Sequence, residues 1–154
     1  MRFHNKRINA NNFRGERVLI IKIWLHLCAN IQKVFLKFLY GTQFVVGKSV
    51  TWRNNFSIMI SETGNIEIGD NCFFNNGCSI NSNKLVRIGA GTLFGENVKI
   101  YDHNHRFRDK KKLIKEQGFS NSEVIIGKNC WIGSNVVILK GTNIGDNSVI
   151  GAGC

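Results

Sequence analysis

The sequence predicts an all-β fold, a parallel β-helix of hexapeptide repeats behind an N-terminal α-helical arm, and three observations predict it. From Ile126 to the end of the chain an isoleucine recurs at every sixth residue, at Ile126, Ile132, Ile138, Ile144 and Ile150. Gly follows four of these five. The fifth residue of each block, Cys130, Val136, Thr142, Ser148 and Cys154, is small or β-branched. A period of six matches neither the 3.6 of a helix nor the heptad of a coiled coil, and it is a signature of stacked β-coils. Three blocks make one triangular coil, and coils stack at about 4.8 Å. Ile126 is therefore expected under Ile144, and Ile132 under Ile150. The Gly and Asn that follow the aliphatics suit tight corners between faces.

Residues 1–41 read as an arm and helix. Met1 to Glu16 is polar, Asn-rich and basic, the composition of a loosely packed arm. From Arg17 to Tyr40 the chain is apolar apart from a stripe of Lys22, His26, Asn30, Lys33 and Lys37, whose spacing predicts one side of a helix. Gly41 is the expected C-cap. His26 reads as a solvated polar residue rather than a ligand. The broad apolar face, with Trp24, Phe35 and Phe38, is expected to pack on the β-helix or a neighbouring subunit, or to lie on an anionic membrane. The longest uncharged stretch, Ile23 to Gln32, is too short to span a bilayer. Lys22 and the lack of a small-residue cleavage site argue against a secretory signal.

Residues 42–154 are assigned to the β-helix. Its first coil begins untidily: Val50 and Phe56 keep the six-residue step, Glu62 then breaks it, and an insertion is expected around Ser61 to Gly64. Ile68, Phe74 and Ile80 form the next coil, and Ile88, Phe94 and Ile100 the one after, with a slip between Asn81 and Arg87. Phe74 and Phe94 are expected in one column with Ile132 and Ile150. The pattern then lapses until Ile126, so a loop at about 101–125 is extruded at one corner. Loops of that length in compact folds are functional or disordered. This one holds Tyr101-Asp102-His103-Asn104-His105 and then Arg106, Arg108, Lys110, Lys111, Lys112 and Lys115.

Composition narrows the function classes. Hydrophobic residues make up 43% of the chain, which excludes a disordered polymer. The net charge of +11 is concentrated in the first forty residues and the extruded loop, which argues against a nucleic-acid-binding face. Cys72, Cys78, Cys130 and Cys154 all take the small inward position of a block, no C-x-x-C pair exists, and the count of five is odd. They read as core residues of a reduced, cytosolic protein, and no metal site is expected.

The repeats, the looped-out corner and Val98-Lys-Ile-Tyr-Asp-His-Asn-His105 resemble the hexapeptide acyltransferases, particularly the maltose and galactoside O-acetyltransferases and related polysaccharide acetyltransferases. The resemblance covers Phe73 to Cys154. It implies a left-handed β-helix, a homotrimer with active sites between neighbouring prisms, and acetyl coenzyme A as acyl donor. The family's catalytic histidine falls on His105. Its substrate-binding asparagine falls on Asn75, and its acceptor-pocket aspartate on Asn83, a departure at that position. Lys128-Asn-Cys-Trp-Ile-Gly-Ser134 matches the segment that borders the active site, which implies coenzyme A contacts for Trp131 and Ser134. Ala152, in Ile150-Gly-Ala-Gly153, matches a residue whose backbone meets the pantetheine.

The chemistry of acetyl transfer to a hydroxyl needs a base to take the hydroxyl proton, and an imidazole suits it. His105 is the expected base. Asp102 is a carboxylate able to orient an imidazole, and Asp102, His103, Asn75 and Asn83 form the expected acceptor side. Asn offers both donors and acceptors to a polyhydroxyl ligand. Asn is equally a common corner residue, so a purely structural role stands beside that one. The basic run Arg106 to Lys115 reads as a solvated loop or as a contact for coenzyme A phosphates or an anionic saccharide. A γ-type carbonic anhydrase would need three zinc histidines across adjacent coils, and only His103 and His105 lie in the prism region.

Family members continue for at least another coil and a Pro-containing segment, whereas this chain has no proline and stops at Cys154. The expectation is a truncated product or an end covered by something else. The functional expectation is an acetyl-CoA-dependent O-acetyltransferase acting on a sugar or lipid-linked saccharide in cell-envelope polysaccharide biosynthesis. Its expected location is the cytoplasm, at the inner face of the cytoplasmic membrane if residues 17–40 dock there. The alternatives are N-acetylation of an amino sugar, and a non-catalytic trimeric scaffold or membrane-docked module.

Overall fold

A computed structural model of the chain describes residues 10–154, with side chains from Val18 onward. The basic arm read over 1–16 and the charges at Arg2, Lys6, Arg7, Arg14 and Arg17 lie outside the described side chains. Helix α1 spans Ala10–Tyr40 and ends where Gly41 takes a φ of 54°, a left-handed conformation that favours glycine.

Beyond a short 3-10 turn the chain winds into a parallel β-helix, as the repeat predicts, of the left hand that the family resemblance implies, with two faces of five strands and one of four. The first face is built from Phe44–Val46, Ile66–Ile68, Val86–Ile88, Val124–Ile126 and Asn143–Ile144. The second holds Thr51–Trp52, Phe73–Phe74, Leu93–Phe94, Trp131–Ile132 and Val149–Ile150. The third holds Ser57–Ile60, Ser79–Ser82, Lys99–Tyr101 and Val137–Ile138.

Parallel pairing stacks each inward residue on its counterpart in the next coil. Val46, Ile68, Ile88, Ile126 and Ile144 make one column. Trp52, Phe74, Phe94, Ile132 and Ile150 make the second. Ile58, Ile80, Ile100 and Ile138 make the third. The rings of Phe74 and Phe94 lie 4.4 Å apart and within 6° of parallel. The coils approach so closely at their corners that a Cβ on Gly89 would sit 2.5 Å from the backbone nitrogen of Lys128. Gly in the second place of a block is therefore a packing requirement there.

The first coil departs from the predicted register. Its aliphatic slot is filled by Val46, Trp52 and Ile58, whereas Val50 and Phe56 stand two residues earlier, over Cys72 and Cys78. Both slots point inward, so an apolar six-residue step fits either. A ring as large as Phe56 is accepted in the small slot because it stacks on Trp52, at 4.5 Å between ring centres, and meets Phe74 of the next coil on one side only, at 4.9 Å. The insertion after it is a turn closed by Gly64 N–H donating to Ser61 O at 3.0 Å.

Helix α1 lies against this first coil with the opposite orientation from the one an amphipathic pattern suggests. Among its described side chains, Ala29 and Leu36 are buried. Around them the polar side chains turn toward the prism: Gln32 Nε2 donates to Phe56 O at 3.0 Å, Trp52 Nε1 donates to Gln32 Oε1 at 2.8 Å, and Lys33 Nζ donates to Val50 O. His26 Nδ1 stands 3.3 Å from Thr51 Oγ1. Val50 and Phe56 belong to the edge coil, with no preceding coil to donate to their carbonyls, so helix side chains supply the donors instead. Trp24, Ile31, Phe35 and Phe38 face away from the protein, Phe38 at 88% exposure. The segment Val18–Gln43 is also long and apolar enough to cross a membrane by length and composition, contrary to the reading from its longest uncharged stretch.

Cys72, Cys78 and Cys130 are buried, and Cys28 and Cys154 are exposed. Burial pushes the thiols of Cys72 and Cys78 up, against hydrogen bonds that partly offset it. A thiol reagent at neutral pH is therefore expected to modify Cys28 and Cys154 and to spare the other three until denaturant is added. Mass spectrometry after timed labelling checks this, and rapid modification of Cys78 in folded protein would contradict the register.

Candidate functional site

The inward position that should follow Ile100 is Asp102, and the loop leaves the prism from there. Asp102 is fully buried. Its Oδ2 accepts from Ser82 Oγ at 2.7 Å and from Lys84 N–H at 2.7 Å, and its Oδ1 accepts from Asn83 N–H at 2.7 Å. Oδ1 also stands 3.0 Å from His103 Nδ1. Its backbone carbonyl accepts from Ser122 N–H at 2.8 Å, which pins the returning end of the loop. Desolvation by burial alone would raise this carboxyl, but the donors from Asn83, Ser82, Lys84 and His103 together hold it below its ordinary value.

The extruded segment is ordered by pairing of its own. His103–His105 runs antiparallel to Phe119–Asn121, with His105 opposite Phe119. Strand alternation puts His103 and His105 on one side of this hairpin, and Phe119 lies against both, at 5.2 and 4.5 Å between ring centres. Gln117 holds the tip, its Nε2 donating to Asp109 O at 2.9 Å and Lys112 O at 3.1 Å. Beneath the tip is a cavity of about 690 Å³ lined by His105, Arg106, Arg108, Gln117, Ser120 and Lys140, among others. His103 does not line it; its ring is fixed between Asp102 and Phe119.

The structure sorts the sequence-predicted residues onto two corners of the prism. Asp102, His103, His105 and Asn83 share the corner between the third and first faces. Asn75, Ser134 and Ala152 share the corner between the second and third faces, and Trp131 stands on the outer surface of the second face, exposed beside Leu93 and Val149. Gly153 N–H donating to Ser134 O at 2.9 Å and Glu96 N–H donating to Ser134 Oγ at 3.1 Å tie that corner together. Asn75 Oδ1 accepts from Arg53 Nη1 at 3.2 Å and from Asn76 N–H at 2.9 Å. Asn83 uses its backbone in the fold, accepting from Thr63 Oγ1 at 2.9 Å and donating to Asp102, while its side chain stays at the half-buried corner. Within one chain, the two groups do not meet.

Phe119 and Lys140 belong to the histidine corner and escape a reading of the sequence. Phe119 lies in the segment where the repeat lapses, and Lys140 occupies an outward repeat position that carries no pattern. Among the described residues no cluster of three or more His, Cys, Asp or Glu side chains is placed to hold a metal ion.

A family model described as the hexapeptide repeat of succinyl-transferase matches residues 123–154. A probable acetyltransferase of Mycobacterium tuberculosis is 34% identical over 91 residues, which is 59% of this chain and 30% of that protein. The crystal structure of a maltose O-acetyltransferase from Clostridium difficile superposes with a TM-score of 0.61 at 35% identity, covering 76% of this chain and 61% of that one. A hexapeptide-repeat acetyltransferase from Vibrio cholerae, solved with acetyl coenzyme A, shares the fold over 99% of this chain and 80% of its own, with a TM-score of 0.65 at 22% identity. The chain thus spans less than two thirds of the length of the mycobacterial and clostridial relatives.

Asp102→Asn replaces an acceptor with a group that also carries donors in a site already supplied with them. It is expected to destabilise the fold by about 2–4 kcal/mol at neutral pH. Because the folded carboxyl is held low, its stabilisation is present above the ordinary carboxylate pKa and is lost as pH falls through the lowered folded value. The gap in melting temperature between wild type and variant should therefore narrow in acid. A gap that is constant from neutral pH into strong acid would show that the charge of Asp102 contributes nothing.

Proposed function

We propose that the chain is a hexapeptide-repeat acyltransferase that moves an acetyl group from acetyl coenzyme A to a sugar hydroxyl, with His105 as the base. The observation that carries this reading is the placement of His105 on the wall of the cavity under the hairpin, with its neighbour His103 held back by Asp102. The 35% identity to a maltose O-acetyltransferase supports a sugar hydroxyl as acceptor. A polysaccharide or lipid-linked saccharide of the cell envelope is the acceptor class we favour.

In this mechanism the acceptor oxygen attacks the thioester carbonyl carbon as the imidazole of His105 takes the hydroxyl proton. The tetrahedral intermediate collapses with cleavage of the carbon–sulfur bond, and the proton passes from the imidazolium to the departing thiolate. Asp102 positions His103 at the edge of the site and fixes the base of the hairpin. Asn75 and Asn83 supply hydrogen bonds to acceptor hydroxyls. Trp131, Ser134 and Ala152 line the surface assigned to coenzyme A.

Those two groups of residues occupy different corners of one prism, so a complete site needs a neighbour. A trimer in which the histidine corner of one prism faces the Ser134 corner of the next meets that need, and we include it in the proposal.

With acetyl coenzyme A and a panel of saccharides, thiol release is the readout. His105→Asn is expected to lower kcat by roughly 10²–10⁴-fold with a small change in KM for acetyl coenzyme A, and His103→Asn by less. A larger loss at His103 would transfer the base to that residue. Mixing His105→Asn subunits with Trp131→Ala subunits should restore activity at low acetyl coenzyme A that neither variant shows alone. Failure of mixed oligomers to recover would mean that each chain holds its own site.

A further inference from the structure

Helix α1 presents a broad apolar surface that no other element among the described residues covers. Trp24, Leu27, Ile31, Val34, Phe35 and Phe38 recur at helical spacing along its outer side, every one of them about half exposed or more. A helix docked on a protein core normally shows the reverse arrangement. Here the polar residues are held inward by specific bonds, Gln32 to Phe56 and Trp52, and Lys33 to Val50, so the helix cannot roll its apolar side onto the prism without stripping donors from the edge coil.

The charge around that surface has one sign. From Arg17 to Ser61, through most of α1 and the three strands of the first coil, the sequence carries Arg17, Lys22, Lys33, Lys37, Lys48 and Arg53 and has no Asp or Glu, with Glu16 and Glu62 flanking the stretch. Lys22, Lys37, Lys48 and Arg53 are exposed. A second copy of this chain meeting the face symmetrically would bring these cations together with no carboxylate to pair them. An anionic lipid surface satisfies both features, taking up the apolar side chains below the headgroups and the cations among them.

We propose that the outer face of α1 is a docking surface for an anionic lipid bilayer, on which the helix lies in the interface with the β-helix standing on its water side. The segment has the length and hydropathy to cross a bilayer. Crossing is disfavoured by the same bonds that orient it: Gln32 and Lys33 would leave the prism and enter hydrocarbon, with Lys22 and Lys37 beside them. This inference is independent of the acetyl-transfer reading, since it uses none of the residues assigned to that site.

The test uses the full chain with vesicles of phosphatidylglycerol and phosphatidylcholine in equal parts, and with vesicles of phosphatidylcholine alone. Co-sedimentation is expected with the first and not the second, and it should weaken as salt rises. The double variant Trp24→Asp, Phe38→Asp alters two side chains that point away from the protein; it should bind at least about tenfold more weakly while its circular dichroism and melting temperature stay unchanged. If that variant fails to fold, brominated acyl chains in vesicles bearing the unmodified protein should quench its tryptophan fluorescence, with Trp24 the ring at the lipid. Binding that survives the double variant, absence of binding to the anionic vesicles, or absence of quenching would each overturn the proposal. So would dissociation of an oligomer by the double variant with vesicle binding intact, which would make the face a contact between copies.

Discussion

Everything in this molecule depends on one constraint: each coil's backbone hydrogen bonds are completed only by the coil on either side of it. Parallel pairing fixes the register, so an inward residue meets its counterpart rather than a general core. Phe74 can be large because Phe94 stacks on it face to face, and Ile132 continues that column. The same spacing dictates what stands at the corners. Asn129 takes a φ of 53° and Asn147 one of 59°, and the Nδ2 of the first donates to the Oδ1 of the second at 2.8 Å, so the turn residues form a ladder of their own.

How much of this was legible in the sequence follows from where a period exists. From Ile68 onward the inward residues repeat, and the stacks Ile126 on Ile144 and Phe74 on Phe94 could be named from spacing alone. In the first coil the pattern is ambiguous, because both inward slots carry apolar residues there; Val50 and Phe56 satisfy the six-residue step in the wrong slot. At the histidine corner the period stops, and with it the information. That His103 and His105 lie on a hairpin paired to Phe119–Asn121 depends on contacts between residues distant in sequence, His103 with Asn121 and His105 with Phe119, which no local pattern encodes. Asp102 was visible as a carboxylate near an imidazole. Its full burial among three other donors was not, since those donors come from the preceding coil.

The separation of the two residue groups is a consequence of the same geometry. A triangular coil sends successive blocks to different faces, so residues that a shared motif suggests are neighbours end up around a corner from one another. Trp131 and Ser134 follow His105 closely in the repeat pattern once the hairpin is excised, yet a whole face lies between them. A chemistry that needs both an imidazole and a coenzyme surface is thereby pushed toward the groove between two prisms. The extruded hairpin, anchored through Asp102 O to Ser122 N–H, is the element with the reach to border such a groove.

The end of the stack raises the opposite problem. A first coil has no predecessor, and its outward carbonyls require donors from elsewhere. In this chain the donors are Gln32 and Lys33 on α1, with Gln43 Nε2 donating to the carbonyls of Ser61, Glu62 and Gly64 at 2.8–3.0 Å. Once side chains on one stripe of the helix are committed to capping strand edges, the remaining three quarters or so of its circumference, at 100° per residue, must face outward whatever its polarity. The sequence fills that outward arc with Ile, Leu, Trp and Phe rather than with the charged residues a solvated cap would carry. The inward placement of Gln32 and Lys33 is therefore explained by the fold, and the apolar arc opposite them is not; it is surface composition that the β-helix itself has no use for.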